Sequence, residues 1–439
     1  MSVRRRTAAL ALLAVLVAVG GVLLSGGFGN IAVAPVATPS LGPGASPGET
    51  LAQPTLEPTP TPRPAAGGTE LYGYLPYWQM TASMATYLKS TPLTTIALFS
   101  VTARRSGALN RSATGYRRIT GSIGRRLIDE AHARGARVDV VFTSFGGDRN
   151  AILLGRPAPT PTTGPDPGAS GATPLPASTT APTAPVAPWH RTLDDLVALA
   201  LDLGVDGISV DIEALEVEDR PAYGEFLSAL RAALVGAKPG ARITVATEAG
   251  VRGTGNAAAA AGAGADRLFL MGYDYHWSGS QPGASSPVDR YDGLYTLRWS
   301  IDQYVEAGVP RDRVLLGLPL YGMRWRLDLP GPTAKVIGVG VVWVPSQHRD
   351  LLLSADYEPG LDTVQISQVV WEQDGAEWLV TYYDSPATLR PKLALALDNG
   401  LAGSGFWAMG YERGVPGYLE LMKDFRAGSV TRDEAPPRR

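Results

Sequence analysis

The stretch from Asp206 to Glu213 reads Asp-Gly-Ile-Ser-Val-Asp-Ile-Glu and decides the fold prediction. Its alternation of polar and apolar residues predicts a β-strand on which Ser209, Asp211 and Glu213 share one face. Two carboxylates on one face of a buried strand are costly, so packing alone does not explain them. One ionised carboxylate raises the pKa of its neighbour and keeps that neighbour protonated near neutral pH, which suits acid catalysis. A solvated strand end is the alternative for this stretch taken by itself.

On both sides of this stretch, the chain repeats a helix, a glycine and an apolar strand. Glycine at a helix C-terminus suits the left-handed residue that reverses the chain. Near-continuous apolar runs are typical of parallel strands buried on both faces. The eight predicted strands are Leu71–Tyr74, Thr95–Val101, Arg137–Phe142, Asp206–Glu213, Arg242–Ala246, Leu268–Met271, Val314–Leu318 and Ser404–Trp407. The pattern predicts an α/β fold, a (β/α)8 TIM barrel, with a small α+β insertion at about residues 326–384 between strands seven and eight.

Composition narrows the classes of function. The chain has 439 residues and a net charge of −2, which makes no electrostatic case for nucleic acid as a partner. The absence of cysteine excludes disulfides, thiolate catalysis and iron–sulfur clusters. The four histidines are scattered without metal-ligand spacing, so we predict no metal and no cofactor. We expect a monomer.

Several segments are too poor in apolar residues, or too exclusively apolar, to belong to the folded domain. Three arginines precede an apolar run from Ala8 to Leu24, which predicts a signal peptide or signal anchor within residues 1–30. Pro- and Thr-rich composition predicts a disordered linker at 31–68 and a disordered insertion at 155–188, and we predict a disordered tail at 429–439. The catalytic domain is expected at 69–428. We expect the protein to be secreted, or anchored on the outer face of the cytoplasmic membrane through the N-terminal segment alone.

Aromatic and acidic side chains are predicted to gather at one end of the barrel. In (β/α)8 barrels the active site forms at the C-terminal ends of the strands. Aromatic rings around carboxylates favour a carbohydrate, because the apolar faces of sugar rings stack on indole and phenol rings. Any one of these aromatic residues is explained equally well by burial, but their concentration at four strand ends is not. Besides Asp211 and Glu213, the candidates at these ends are Tyr74, Trp78, Met271, Tyr273, Asp274, Tyr321 and Trp407. Glu248 and Trp325 also fall at the ends of predicted strands five and seven.

These motifs, in this order, resemble glycoside hydrolase family 18, the chitinase-like fold, over about residues 70–428. Asp206–Glu213 matches the acid motif of that family except at Ser209. Ser144–Gly147 matches its Ser-x-Gly-Gly, and Met271–Asp274 matches its Met-x-Tyr-Asp. Gly405–Ala408 matches the segment with the final-strand tryptophan, and Leu318–Gly322 resembles the seventh-strand segment.

The resemblance implies a retaining, substrate-assisted reaction in which the 2-acetamido oxygen of the substrate attacks the sugar. Glu213 would be the general acid and later the base. Asp211 would hold the acetamido N–H, and Tyr273 would hydrogen-bond the acetamido oxygen. The partner implied is an N-acetylated polysaccharide, either chitin or peptidoglycan. Trp407 would form the floor of the sugar site, and the remaining substrate-binding candidates are Asp274, Met271, Tyr74, Tyr321, Trp78 and Ser209.

Two features qualify the resemblance. Segments Leu75–Trp78 and Tyr273–Trp277 look closer to the bacterial, peptidoglycan-active and spore-enzyme-like branch than to secreted chitinases. Ser209 replaces an aspartate of the family motif; it can still donate a hydrogen bond to Asp211 but cannot share its charge. We therefore expect a lower pKa for Asp211 and a changed turnover or pH optimum. The alternative is a weak or inactive glycan-binding protein of the same fold, against which the retention of Asp211 and Glu213 argues.

Overall fold

The computed structural model describes residues 69–156, 186–291, 295–331 and 333–431. Eight parallel strands close into a barrel in the order β1-β13-β7-β6-β5-β4-β3-β2, which confirms the predicted (β/α)8 fold. The barrel strands are β1 (Glu70–Pro76), β2 (Thr95–Thr102), β3 (Arg137–Phe145), β4 (Gly207–Glu213), β5 (Arg242–Glu248), β6 (Arg267–Met271), β7 (Val314–Pro319) and β13 (Gly403–Trp407).

Helices connect these strands and cover the outside of the barrel. Those of the described chain are α1 (Ala82–Leu88), α2 (Thr114–Thr120), α3 (Ser122–Ala133), α4 (Gly147–Leu154), α5 (Trp189–Leu203), α6 (Arg220–Ala237), α7 (Val251–Gly262), α8 (Leu297–Glu306), α9 (Arg349–Leu352), α10 (Pro386–Asp398) and α11 (Tyr418–Arg426). The predicted glycine stop before β4 is found at Gly204, which ends α5 with φ 69°. Because glycine has no Cβ, this left-handed position is adopted without steric cost.

Because side chains alternate along β4, some face the outer core between the barrel and its helices, and the others face the barrel interior. Ile208 and Val210 are fully buried in the outer core, between the barrel and its helices. Ser209 points inward and is also fully buried. The barrel interior is a separate cluster made largely of aromatic and small residues. Its buried members are Tyr72, Tyr74, Ala97, Phe99, Val141, Ala246, Phe269, Met271 and Leu315.

A five-stranded antiparallel sheet is inserted between β7 and β13, with the order β10-β11-β12-β8-β9. Its strands are β8 (Gly322–Leu327), β9 (Val341–Trp343), β10 (Gly360–Asp362), β11 (Ser367–Asp374) and β12 (Glu377–Tyr383). The insertion therefore begins at Gly322 and not at the predicted residue 326, because β8 follows β7 after only a short turn.

The described ranges also bear on the predicted disordered segments. The N-terminal segment and linker, residues 157–185 and residues 432–439 lie outside the described residues, so those predictions stay untested. The predicted disordered segments were too wide at both ends of the insertion and at the start of the tail. Arg156 forms an ion pair with Asp219 at 2.9 Å, and Val430 is buried, because the chain is still packed against the barrel there. Among the described residues, no helix is both long and apolar enough to cross a membrane.

Candidate active site

The two predicted catalytic carboxylates lie on β4, at the C-terminal mouth of the barrel. Asp211 lies level with Thr143 of β3 and Ala246 of β5, and only 5% of its surface is exposed. Glu213 is the last residue of β4 and is partly exposed. The next residue, Ala214, has φ 58°, and its N–H donates to Glu248 Oε1 at 2.8 Å. This turn ends the strand directly behind Glu213.

Burial and the carboxyls around Glu213 favour its protonated form. Burial raises the pKa of Glu213 well above its usual value, and the charges of Asp211, Glu248 and Asp274 raise it further. Burial also raises the pKa of Asp211, and the charge of Glu248 adds to this effect. The expectation of a lower pKa for Asp211 is therefore wrong, because burial raises this pKa and the charge of Glu248 raises it further.

Ser209 lies one layer deeper, inside the barrel. Its Oγ is 2.9 Å from the hydroxyl of Tyr74, and no hydrogen bond among the described residues joins it to Asp211. Below it, Tyr72 donates to Asp139 Oδ2 at 2.7 Å, and Thr244 donates to the same oxygen at 3.3 Å. A column of hydroxyl and carboxyl groups thus fills the barrel axis beneath Asp211.

Aromatic rings form one wall of the mouth. Trp407, the last residue of β13, has its ring centroid 4.6 Å from that of Phe99, 5.8 Å from that of Tyr74 and 6.5 Å from that of Trp78. The indole N–H of Trp78 donates to the hydroxyl of Tyr411 at 3.3 Å, which orients the ring. Edge-on contacts of this kind hold Trp407 in place while its half-buried face stays available.

The other wall comes from the ends of β6 and β7. Met271 ends β6 inside the barrel, and Tyr273 and Asp274 follow it. The hydroxyl of Tyr321 donates to Asp274 Oδ1, and the rings of Tyr273 and Tyr321 lie 6.3 Å apart. The pKa of Tyr273 is raised by burial first, then by Tyr321, Tyr74 and the two β4 carboxylates, so this phenol stays protonated and able to donate.

The structure brings all the predicted site residues to this mouth or, for Ser209, directly beneath it. Their roles stay predictions. The sequence placed Glu248 at the end of a predicted strand, but Glu248 was not predicted as a site residue. Its position two residues beyond Ala246 on β5, and therefore on the same face of the strand, was the signal that could have identified it. Trp325, considered as a mouth residue from sequence, lies instead in β8 and is fully buried. No group of three or more His, Cys, Asp or Glu in the described ranges has the arrangement of a metal site.

The geometry defines what this site can do. It places Glu213, a partly exposed carboxyl whose protonated form is favoured, beside the buried carboxyl of Asp211, with a phenol donor and a half-buried indole face across the mouth. A group so arranged can give a proton to a leaving oxygen while neighbouring groups bind and orient the substrate.

Comparison with known proteins adds independent information. The family model "Glycosyl hydrolases family 18" matches residues 190–412. The chain is similar to a cortical fragment-lytic enzyme of Bacillus anthracis, 24% identical over 228 residues, which cover 50% of each chain. It is also similar to the class V chitinase CHIT5 of Lotus japonicus, 28% identical over 150 residues, 33% of this chain and 37% of that one.

The solved structures agree in fold. The crystal structure of the Bacillus cereus spore cortex-lytic enzyme SleL superposes with a TM-score of 0.59 at 19% identity, covering 83% of this chain and 74% of that one. The chain spans half or less of the length of the two curated relatives named above. The family match, in contrast, covers half of this chain and includes β4 with both carboxylates, Tyr273 and Trp407. This protein therefore belongs to the glycosyl hydrolases of family 18.

Proposed function

We propose that this protein is a glycoside hydrolase that cleaves β-1,4-linked, N-acetylglucosamine-containing glycans. The observation that carries the proposal is the pair on β4: a partly exposed Glu213 whose pKa burial raises, beside a buried Asp211. The half-buried face of Trp407 on the other side of the mouth gives a sugar ring a surface on which to stack. The family match over the same residues supports this assignment.

The proposed reaction retains the configuration of the sugar. Glu213 gives its proton to the glycosidic oxygen, and the acetamido oxygen of the substrate attacks the anomeric carbon as that bond breaks. Asp211 accepts the acetamido N–H while Tyr273 donates to the acetamido oxygen, which places the attacking atom and offsets the developing positive charge. The Glu213 carboxylate then takes a proton from the water that opens the cyclic intermediate.

We propose bacterial peptidoglycan as the first candidate polymer and chitin as the second. The similarity to a cortical fragment-lytic enzyme and to SleL supports the first, and the similarity to plant class V chitinase supports the second. Both polymers supply the 2-acetamido group that the proposed mechanism needs.

The purified full chain, incubated with purified peptidoglycan and with N-acetylglucosamine oligomers, tests the activity. We expect new reducing ends that form first in the β configuration, as read by proton NMR. Glu213→Gln should lower kcat by about 10²- to 10⁴-fold while leaving oligomer binding intact. Glu218→Gln, a change at an exposed glutamate that follows the same strand, is the matched control and should keep the wild-type rate.

The second candidate function is glycan binding without cleavage. Ser209 is the observation that favours it, since the family motif carries an acid at this position. Oligomer binding that Glu213→Gln leaves unchanged, with no product from either polymer in the wild type, would support this candidate and contradict hydrolysis.

We also propose that the protein acts outside the cytoplasmic membrane, either released or held by its N-terminal segment. The support is the run from Ala8 to Leu24 after three arginines. Fractionation of cells that express the full chain should find it in the medium or in the membrane fraction accessible to added protease. Recovery in the cytosol alone would contradict the proposal.

A further inference from the structure

Two carboxyl oxygens near the mouth are buried without a partner. These are Asp211 Oδ1 and Glu248 Oε2, neither of which receives a hydrogen bond from any described residue. A buried, unpartnered carboxylate oxygen costs free energy, and two such groups close together cannot both ionise freely. Their joint presence therefore needs an explanation that the packing of the barrel does not give.

The alternation of side chains along β5 turns Glu248 toward the site. Thr244 reaches into the barrel to Asp139, and Ala246 belongs to the interior cluster, so the alternation of the strand turns Glu248 inward as well. Since Asp211 is level with Ala246, Glu248 stands one layer above Asp211 and beside Glu213.

Several contacts hold Glu248 in this position. Its Oε1 accepts the Ala214 N–H at 2.8 Å, and the hydroxyl of Tyr304 donates to its backbone carbonyl at 3.0 Å. Helix α7 starts directly against this carbonyl, since a Cβ on Gly253 would come within 1.6 Å of the oxygen. Glu248 Oε1 thus holds the backbone of Ala214, the residue after Glu213, and Oε2 has no partner among the described residues.

Among the described residues, no other acid inside the barrel takes this place. Ser209 is neutral and bonded to Tyr74. The nearest carboxyl below it, Asp139, is engaged by Tyr72 and Thr244, one layer deeper than Ser209.

We propose that Glu248 is the carboxyl partner of Asp211 in this enzyme, a positioning residue that supplies from β5 the negative charge missing at position 209. That charge favours the protonated form of Asp211 while the sugar site is empty. This inference rests on the proposed function of the same site.

The surroundings of Glu248 leave its charge uncompensated. No cation of the described chain lies within ion-pair distance of it: Arg252 on α7 lies 4.0 Å from Glu216, and Arg220 on α6 bonds Asn256. Glu248 acts on every titratable group that faces it, raising the pKa of each. These groups are Asp211 and Glu213 of β4, Tyr223 of α6 and Tyr304 of α8.

A double-mutant cycle of protein stability, called the stability cycle below, tests the proposal without any substrate. Because the folded pKa of Asp211 is raised above its unfolded value, the folded state holds the extra proton and stability falls as pH rises from about 4 through the folded pKa. Glu248→Gln keeps an oxygen for the Ala214 N–H and removes the charge. The melting temperature of the full chain, measured from pH 4 to 9, should therefore fall less steeply in Glu248→Gln. This gain should shrink when Asp211→Asn is already present, leaving only the part that acts through Glu213.

Glu216→Gln is the matched control, since it removes a nearby charge that does not act on Asp211. Its melting curve should show no dependence on the Asp211→Asn background. Equal pH slopes in wild type and Glu248→Gln, or the same gain with and without Asp211, would overturn the proposal.

A kinetic arm uses the same variants on N-acetylglucosamine oligomers. Loss of the Glu248 charge should lower the pKa of the proton donor, so the basic limb of the pH profile of kcat/KM should move down by about one pH unit. If Glu248 only held the Ala214 backbone in place, the limb would not move. An unmoved limb in an active Glu248→Gln overturns the proposal and leaves the hydrolase assignment standing. Absence of activity in the wild type would instead refute the proposed function, and the stability cycle would still decide whether the charge of Glu248 acts on Asp211.

Discussion

At the scale of the residue, the chemistry of this site depends on how charge is distributed around Asp211. In most structures a buried aspartate is satisfied by donors, yet Asp211 Oδ1 has none among the described residues. Its pKa rises first because it is buried and second because the charge of Glu248 acts on it. Ser209 is bonded to Tyr74 instead. A single substitution at position 209 should therefore change the titration of the site more than its shape.

Ser209→Asp should raise the pKa of Asp211 still further, because a further carboxyl would enter a buried site in which none of the described ion pairs places a cation. We expect the basic limb of kcat/KM to move up by about one pH unit and kcat at pH 7 to change severalfold. The pH–rate profile on oligomers is the measurement, and Ser209→Ala, which only removes the bond to Tyr74, is the control. Identical profiles for wild type and Ser209→Asp would contradict this account.

At the scale of the element, β3 and β4 fit together because Gly207 leaves room for Asp139. The two residues are level in the parallel pairing. A Cβ on Gly207 would come within 2.4 Å of Asp139 Oδ1 and within 2.6 Å of the Arg242 carbonyl oxygen. The glycine of the acid motif is thus explained by a close approach of three strands and not by a left-handed backbone.

Gly207→Ala should lower the free energy of unfolding by about 2–3 kcal/mol, because backbone atoms of β5 cannot move away without breaking the barrel. Gly224→Ala in α6 is the matched control. No atom lies within 4 Å of its added Cβ, so it should be neutral or stabilise by up to about 1 kcal/mol. Thermal or urea unfolding of both variants gives the comparison, and equal effects would show that the close approach is relaxed easily.

At the scale of the whole molecule, a buried ion pair fastens the inserted sheet to the barrel. Lys392 of α10 and Asp384, which follows β12, lie 2.5 Å apart and are almost fully inaccessible to solvent. Ser286, from the connection between β6 and α8, donates to the other oxygen of Asp384 at 2.6 Å. Three separate parts of the chain therefore meet at one carboxylate.

Lys392→Met should destabilise the protein by about 3–5 kcal/mol, because it leaves the charge of Asp384 buried without its cation. Lys423→Met on α11 removes an exposed lysine and should change stability by less than about 0.5 kcal/mol. Calorimetry of both variants measures the difference. Similar melting temperatures for the two would mean that Asp384 is satisfied by its hydroxyl donors alone.

Much of the fold was predictable because it follows from local pattern. The alternation in Asp206–Glu213 determined which side chains face the barrel axis, and the helix-glycine-strand repeat determined eight parallel strands. The inserted sheet was located only approximately. Its first strand follows β7 so closely that Trp325 was read as part of the barrel mouth, because an apolar run alone does not reveal a change of sheet.

The sequence by itself determined the barrel, the family motifs and the pair Asp211 and Glu213, since strand periodicity and spacing within one segment are local properties. Only the tertiary structure decided that Ser209 pairs with Tyr74 and that the charge of Glu248 acts on Asp211. Those interactions join β4 to β1 and β5, and they depend on the register between strands that lie far apart in the chain. The pKa of Asp211 was mispredicted for the same reason: it is raised by burial and by a charge 37 positions further along the chain, neither of which the motif contains.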